Sequence, residues 1–389
     1  MLRDFIWDDS KKNQNRKSLY QLIHREGPIS KSNVLKSFSV PQTTLTRMVA
    51  EFEGNGWIRS GGFGQPSGGR PPVLYKVRED AGYFIGIEIA RVVQVLLLDL
   101  EFNILNRKKF SVTVEHTPEI TIPFIINMMK QLIQTHQISV SDIIGIGIGA
   151  IGPLDRNNGR MINPESFIAS GWDNVPIVNE IKKEFPVPIL INNGANTAAL
   201  AEYQAQLFSS ENLLYCISGY GIRCGFIQAG ISLNSRQGDA SSYGHIIVEP
   251  GGRLCSCGKK GCLNAYSSFG AMFAQIKREV PSMELTSSGQ LVEALNQNVH
   301  IVEKVVQESA YYYGLAVANM INLLHPDVVL LEGKLIKESE AYMNDVISIA
   351  TEHVYSNRRR DITIRKGQLG RDAVAVGAAV EVFHSFFKR

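Results

Sequence analysis

The chain has no apolar run approaching the roughly 20 residues that a membrane-spanning helix needs, which excludes a helical membrane protein. It also lacks a secretory leader, because the opening MLRDFIWDDS carries Asp4, Asp8 and Asp9 where a basic start and an apolar core would stand. Five cysteines in 389 residues are too few, and odd in number, for a disulfide framework. Low-complexity tracts and short-period repeats are missing as well. A cytoplasmic location is the expectation from these absences.

What is present belongs to a globular protein, with 44% hydrophobic and 20% charged residues. A length of 389 residues exceeds the usual single core, so two or more domains are expected. Charge is uneven along the chain. Residues 1–80 hold 13 Lys and Arg against 8 Asp and Glu, a net of +5, whereas the remainder holds 27 against 29. That asymmetry places any polyanion-binding function at the N-terminus.

Periodicity predicts three helices first. Leu19, Leu22 and Ile23 form the apolar stripe of the first, and Ser30 caps a second that carries Val34, Leu35 and Phe38. Pro41 opens the third, whose face of Leu45, Met48, Val49 and Phe52 opposes Gln42, Thr43, Thr46 and Arg47. Trp57-Ile58-Arg59 and Val73 to Val77 read as strands joined by GGFGQPSGGRPP, the pattern of a wing. From Gly82 onward, β-branched runs alternate with helical patterns in two successive sets, each opening on a meander of strands and ending in helices.

The most specific signal is GH-x9-C-x-C-G-x2-G-C, formed by His245, Cys255, Cys257 and Cys262. Three thiolates and an imidazole are ligands that zinc prefers, and together they close a tetrahedron with no open position, so a structural Zn²⁺ is expected. The glycines allow a C-x-C pair and a ligand five residues on to fold around one ion. Cys216 and Cys224 fall on strands and read as ordinary buried thiols.

At this segment the chain resembles the ROK family, bacterial repressors and sugar kinases that share an actin-like fold. Further stretches are similar to the family pattern: GIGIGAIGPLD, INNGANTAALAE, ISGYGIRCGFIQAG and HPDVVLLEG. NRKSLYQLIHREGPIS, TTLTRMVAEFEGNGWI and GGRPP resemble its repressor branch. The resemblance implies an α/β chain with a winged helix-turn-helix at 1–80. A two-lobed actin-like ATPase (ribonuclease H-like) sugar-kinase fold then follows, with lobes at 81–194 and 195–389 and the last helix returning toward the first lobe.

Four departures separate the chain from the family kinases. Gly194 stands where the kinases carry the Asp that deprotonates the sugar hydroxyl. The first phosphate loop reads Glu88-Ile89-Ala90-Arg91-Val92 in place of Asp, Gly, Gly and Thr, so side chains occupy the phosphate's approach. The second reads Gly219-Tyr220-Gly221-Ile222-Arg223, and the late Gly-Gly reads Glu332-Gly333. A domain that transfers no phosphoryl group, and hence no enzyme, is the expectation.

The resemblance also places the effector site at Asn193, Gly194, Ser242, His245 and Asn264. Only Asn193 and His245 match the family's sugar-binding residues, since Gly194, Ser242 and Asn264 replace carboxylates. Either the site takes a different ligand, such as a bulkier, acidic or phosphorylated sugar, or it takes none; Asn193 equally suits a helix cap. For DNA, the start of the third helix nominates Gln42, Thr43, Thr44 and Arg47 for base edges, and Arg70 at the wing tip for the minor groove. Lys12, Arg16, Lys31 and Arg59 are nominated for phosphates.

The functional expectation is a DNA-binding repressor of carbohydrate genes, acting as a homodimer or tetramer on a palindromic operator and responding to a sugar-type effector. The alternatives are an active sugar kinase with an appended DNA-binding domain, or a ligand-blind DNA-binding scaffold.

Overall fold

The computed structural model describes residues 1–65, 70–164, 167–206, 211–233, 240–355 and 362–387. The N-terminal helices form as their apolar spacing dictates. Gln14–Glu26 buries Leu19, Leu22 and Ile23, and the Ser30 hydroxyl accepts the Asn33 N–H at 3.2 Å to cap Lys31–Ser37. Gln42–Gly54 buries Leu45, Met48, Val49 and Phe52, with Pro41 at its cap. A three-stranded sheet ordered Ile29–Ser30, Val73–Val77, Ile58–Phe63 completes the winged helix-turn-helix. The expected wing tip at 66–69 lies outside the described residues.

One helix escapes the periodicity altogether. Leu2–Trp7 is only six residues long, too short to be stable alone, yet it buries Leu2, Phe5 and Ile6. Phe5 stacks on Trp57 with ring centroids 4.5 Å apart and lies 5.5 Å from Phe52. Each such side chain stabilises by roughly 1.5–3 kcal/mol, so tertiary packing and not local propensity makes this helix. Trp7 Nε1 also donates to the Ile144 carbonyl at 3.0 Å, tying the segment to the sheet behind it.

Two five-stranded sheets follow, and their topology is the same. The first runs Ile189–Asn193, Ile143–Ala150, Tyr83–Ile89, Val92–Leu98, Ile104–Ser111; the second runs Thr363–Lys366, Val328–Gly333, Leu213–Ser218, Arg223–Gln228, Ile231–Ser232. In each, an antiparallel meander of three strands continues into two parallel ones. The duplicated α/β architecture is therefore present.

Two helices join the sheets. Gly194–Ala205 leaves the end of the first sheet and packs on the second, while Ala373–Ser385 leaves the second and returns to the first. Their approach explains an alternation that strand propensity alone disfavours. A Cβ on Gly147, inside IIGIGIGA, would stand 2.0 Å from the Ala378 carbonyl oxygen, so only glycine lets this helix lie on the strand. The winged domain, the returning helix and parts of both sheets share one continuous apolar cluster.

Candidate functional site

The segment 245–262 brings four predicted ligands together. One donor atom from each of His245, Cys255, Cys257 and Cys262 lies within 4.8 Å of the others, with Cys257 and Cys262 sulfurs 3.7 Å apart and Cys255 Sγ 3.6 Å from His245 Nδ1. A tetrahedral ion with metal–sulfur bonds near 2.3 Å requires sulfur–sulfur edges of about 3.8 Å, so the cluster is already sized for one metal ion. The loop folds this way because Gly258 and Gly261 take φ of +82° and +83°. At Gly261 a Cβ would also meet the Glu249 carbonyl oxygen at 1.9 Å. Cys216 and Cys224 sit apart in the core, and burial pushes the Cys224 thiol well above the ordinary range, as befits inert thiols.

Beside this cluster a cavity of about 640 Å³ opens between the lobes, and a smaller one of about 180 Å³ adjoins it, sharing Arg91, Tyr220 and Arg223 as walls. The structure separates the five residues nominated for a ligand. His245 and Asn264 line the larger cavity and Gly194 the smaller. Asn193 is fully buried, and its side-chain oxygen accepts the Ala195 N–H at 3.2 Å, so it caps the helix Gly194–Ala205. Ser242 is exposed and lines neither cavity. Asn264 is itself committed, because its Oδ1 accepts the Ile222 N–H at 2.8 Å and holds the second glycine-rich loop in place.

The two altered phosphate loops meet in space. The Arg91 guanidinium carbon stands 3.5 Å over the Tyr220 ring, a cation–π contact that spans the cleft. Glu88 faces the smaller cavity, where burial and the nearby Asp372 carboxylate push its carboxyl up to about 8. Arg253 and Arg278 also line the larger cavity, and nothing in their sequence spacing signals it.

In the winged domain Gln42, Thr43 and Arg47 are exposed on the third predicted helix and Thr44 is partly exposed, while Arg70 is exposed in the loop between the strands Ile58–Phe63 and Val73–Val77. The four nominated phosphate contacts differ. Arg59 makes a two-pronged contact with Glu79 at 3.0 and 2.6 Å, which holds the Glu79 carboxyl near 2, and Arg16 pairs with Glu51 at 2.7 Å. Lys31 lies over the Tyr75 ring at 5.4 Å, whereas Lys12 is exposed. Among the described residues no helix is long and apolar enough to cross a membrane.

Known proteins resemble this chain along most of its length. The xylose repressor of Bacillus spizizenii is 26% identical over 380 residues, covering 96% of this chain and 96% of that protein. The Escherichia coli transcriptional dual regulator NagC is 22% identical over 384 residues, covering 96% and 93%. A crystal structure of a ROK family transcriptional regulator, homologous to the E. coli MLC protein, superposes with a TM-score of 0.78 at 22% identity, over 96% of each chain. The model of the ROK family matches residues 84–384, from the first strand of the first lobe to the returning helix. The chain belongs to the ROK family.

Proposed function

We propose that this protein is a DNA-binding transcriptional repressor of carbohydrate-metabolism genes, whose two-lobed domain senses a sugar-type effector and transfers no phosphoryl group. The carrying observation is the interlobe cleft: Gly194 offers no general base, and the Arg91–Tyr220 stack fills the approach that nucleotide phosphates need. Losing a general base alone costs roughly 10²–10⁴ in rate. Relatives named as repressors cover the winged domain as well as the lobes, which supports the same reading.

In this reading Gln42, Thr43, Thr44 and Arg47 face base edges, Arg70 enters the minor groove, and Lys12 contacts phosphate. Arg16 and Arg59 reach phosphates only by leaving Glu51 and Glu79. The four-ligand cluster holds a structural Zn²⁺ that fixes the loop carrying His245 beside the cleft. The protein acts as a symmetric oligomer on a palindromic operator.

Incubation of the purified chain with ATP-Mg²⁺ and a panel of hexoses tests the proposal. No sugar-dependent ADP release is expected; sustained turnover with any hexose overturns it.

A further inference from the structure

Among the described residues lining the 640 Å³ cleft, every formally charged side chain is an arginine, namely Arg91, Arg223, Arg253 and Arg278, and no Asp or Glu is present. Arg253 is offset from outside, since it pairs with Glu308 at 2.7 Å and lies over the Tyr266 ring at 4.6 Å. Arg91 meets no carboxylate among the described residues, and its guanidinium carbon stands 3.5 Å over the Tyr220 ring. A guanidinium without a carboxylate partner, in a cleft whose formally charged lining is all of one sign, favours an anion.

Backbone adds to the same field. The helix Phe269–Glu279, capped by Ser268, turns its N-terminal end to the cleft through Ser268, Gly270 and Ala271. The Phe269 N–H is taken by the Gly219 carbonyl at 2.9 Å and the Ala271 N–H by the Ser268 hydroxyl at 3.2 Å, so the first turn offers the Gly270 N–H, where a Cβ would meet nothing within 4 Å. The positive end of a helix and guanidinium forks both favour carboxylate or phosphate oxygens over neutral hydroxyls. A neutral sugar uses this field poorly.

We propose that the effector is an anionic sugar whose carboxylate or phosphate monoester is held by Arg91 and the first turn of Phe269–Glu279, with its ring toward His245 and Asn264. This rests on the reading of the cleft as an effector site and names the chemical class that the site takes.

The test is isothermal titration of the full chain with a panel of aldohexoses, their 6-phosphates and the corresponding uronic acids, at low and high salt. At least one anionic series is expected to bind ten-fold or more tightly than its neutral parents, with the preference shrinking as salt rises. Which series binds separates a phosphate from a carboxylate. Arg91→Met is expected to abolish the preference, and Arg91→Lys to keep part of it, with melting temperatures confirming that both variants fold.

Equal affinity for neutral parents, no binding of either anionic series, or an unchanged preference in Arg91→Met each overturns the proposal. Specific binding of a promoter fragment, measured on the same preparations, reports the repressor reading separately. Its loss in the unmodified protein contradicts that reading, whereas its persistence beside a failed titration contradicts only the anion assignment.

Discussion

His24, on the helix Gln14–Glu26 of the winged domain, donates from Nε2 to the carbonyl oxygen of Leu100 in the first lobe at 2.6 Å. Its ring lies 4.2 Å from Phe383 on the returning helix and 5.5 Å from Phe102, which is held at φ +62° in the adjoining turn. One imidazole thus touches the winged domain, the first sheet and the helix that joins the lobes.

Burial holds the His24 pKa below its ordinary value, outweighing the hydrogen bond to Leu100 and the nearby Glu101 carboxylate. A base depressed in the folded state contributes stability that is complete above its unfolded pKa near 6.5 and is lost as pH falls through the folded value. Urea unfolding of the full chain should therefore show stability declining below pH 6.5. His24→Phe, which keeps a ring but strands the Leu100 carbonyl, should cost about 1–3 kcal/mol at pH 7.5 and flatten this part of the pH profile.

Glu381 forms a second joint. Both of its oxygens accept from Asn192 Nδ2, at 2.8 and 2.9 Å, and Oε1 also meets Arg156 at 3.1 Å, so the returning helix is fastened to the end of the strand Ile189–Asn193. Glu381→Leu should destabilise the protein by about 3 kcal/mol, because Arg156 and the Asn192 amide are then left buried without this partner. Chemical denaturation measures the loss; a change below about 1 kcal/mol would show that the joint is not structural.

Restoring the missing carboxylate should not restore a kinase. Gly194→Asp supplies a candidate base but leaves the Arg91–Tyr220 stack across the phosphate approach, and its Cβ would press on Val374 Cγ1 at 3.2 Å. A coupled ADP assay should read background with every hexose, and the variant should melt slightly lower than the parent.

Elemental analysis of the purified protein should find about one zinc per chain. Cys257→Ser should lose it together with the native fold of the second lobe, since structural zinc binding is worth on the order of 10 kcal/mol. Full metal retention in that variant would remove Cys257 from the ligand set.

DNA contacts should divide by type. Arg47→Ala should cost about 1–3 kcal/mol on the preferred sequence and much less on unrelated duplex. Lys12→Ala should weaken binding to both equally and reduce the slope of affinity against salt by about 0.9. Anisotropy titrations at two or more salt concentrations distinguish them.

Much of this arrangement was legible in the residues because local chemistry encodes it. His245, Cys255, Cys257 and Cys262 are close in the chain and their glycines betray the turns; Ser30 and Val73 to Val77 follow capping and alternation rules. What escaped depends on distance. Leu2–Trp7 is helical only because Tyr20, Phe52 and Trp57 wait to cover it, and Glu381 meets Asn192 across 189 positions. Asn193 and Ser242 show the converse, where a motif position predicts a ligand contact but the fold turns one residue into a cap and leaves the other on the surface. Arg253 and Arg278 join Arg91 in one cleft through packing that spacing does not record.

Fluorescence anisotropy of the full chain on a fragment of its own promoter region, against an unrelated duplex of equal length at about 0.15 M salt, tests the account most directly. The account predicts a preference of roughly 10³ or more for the promoter fragment, reduced about 5- to 150-fold in Arg47→Ala. Equal affinity for the two duplexes, or no binding to either, would contradict it.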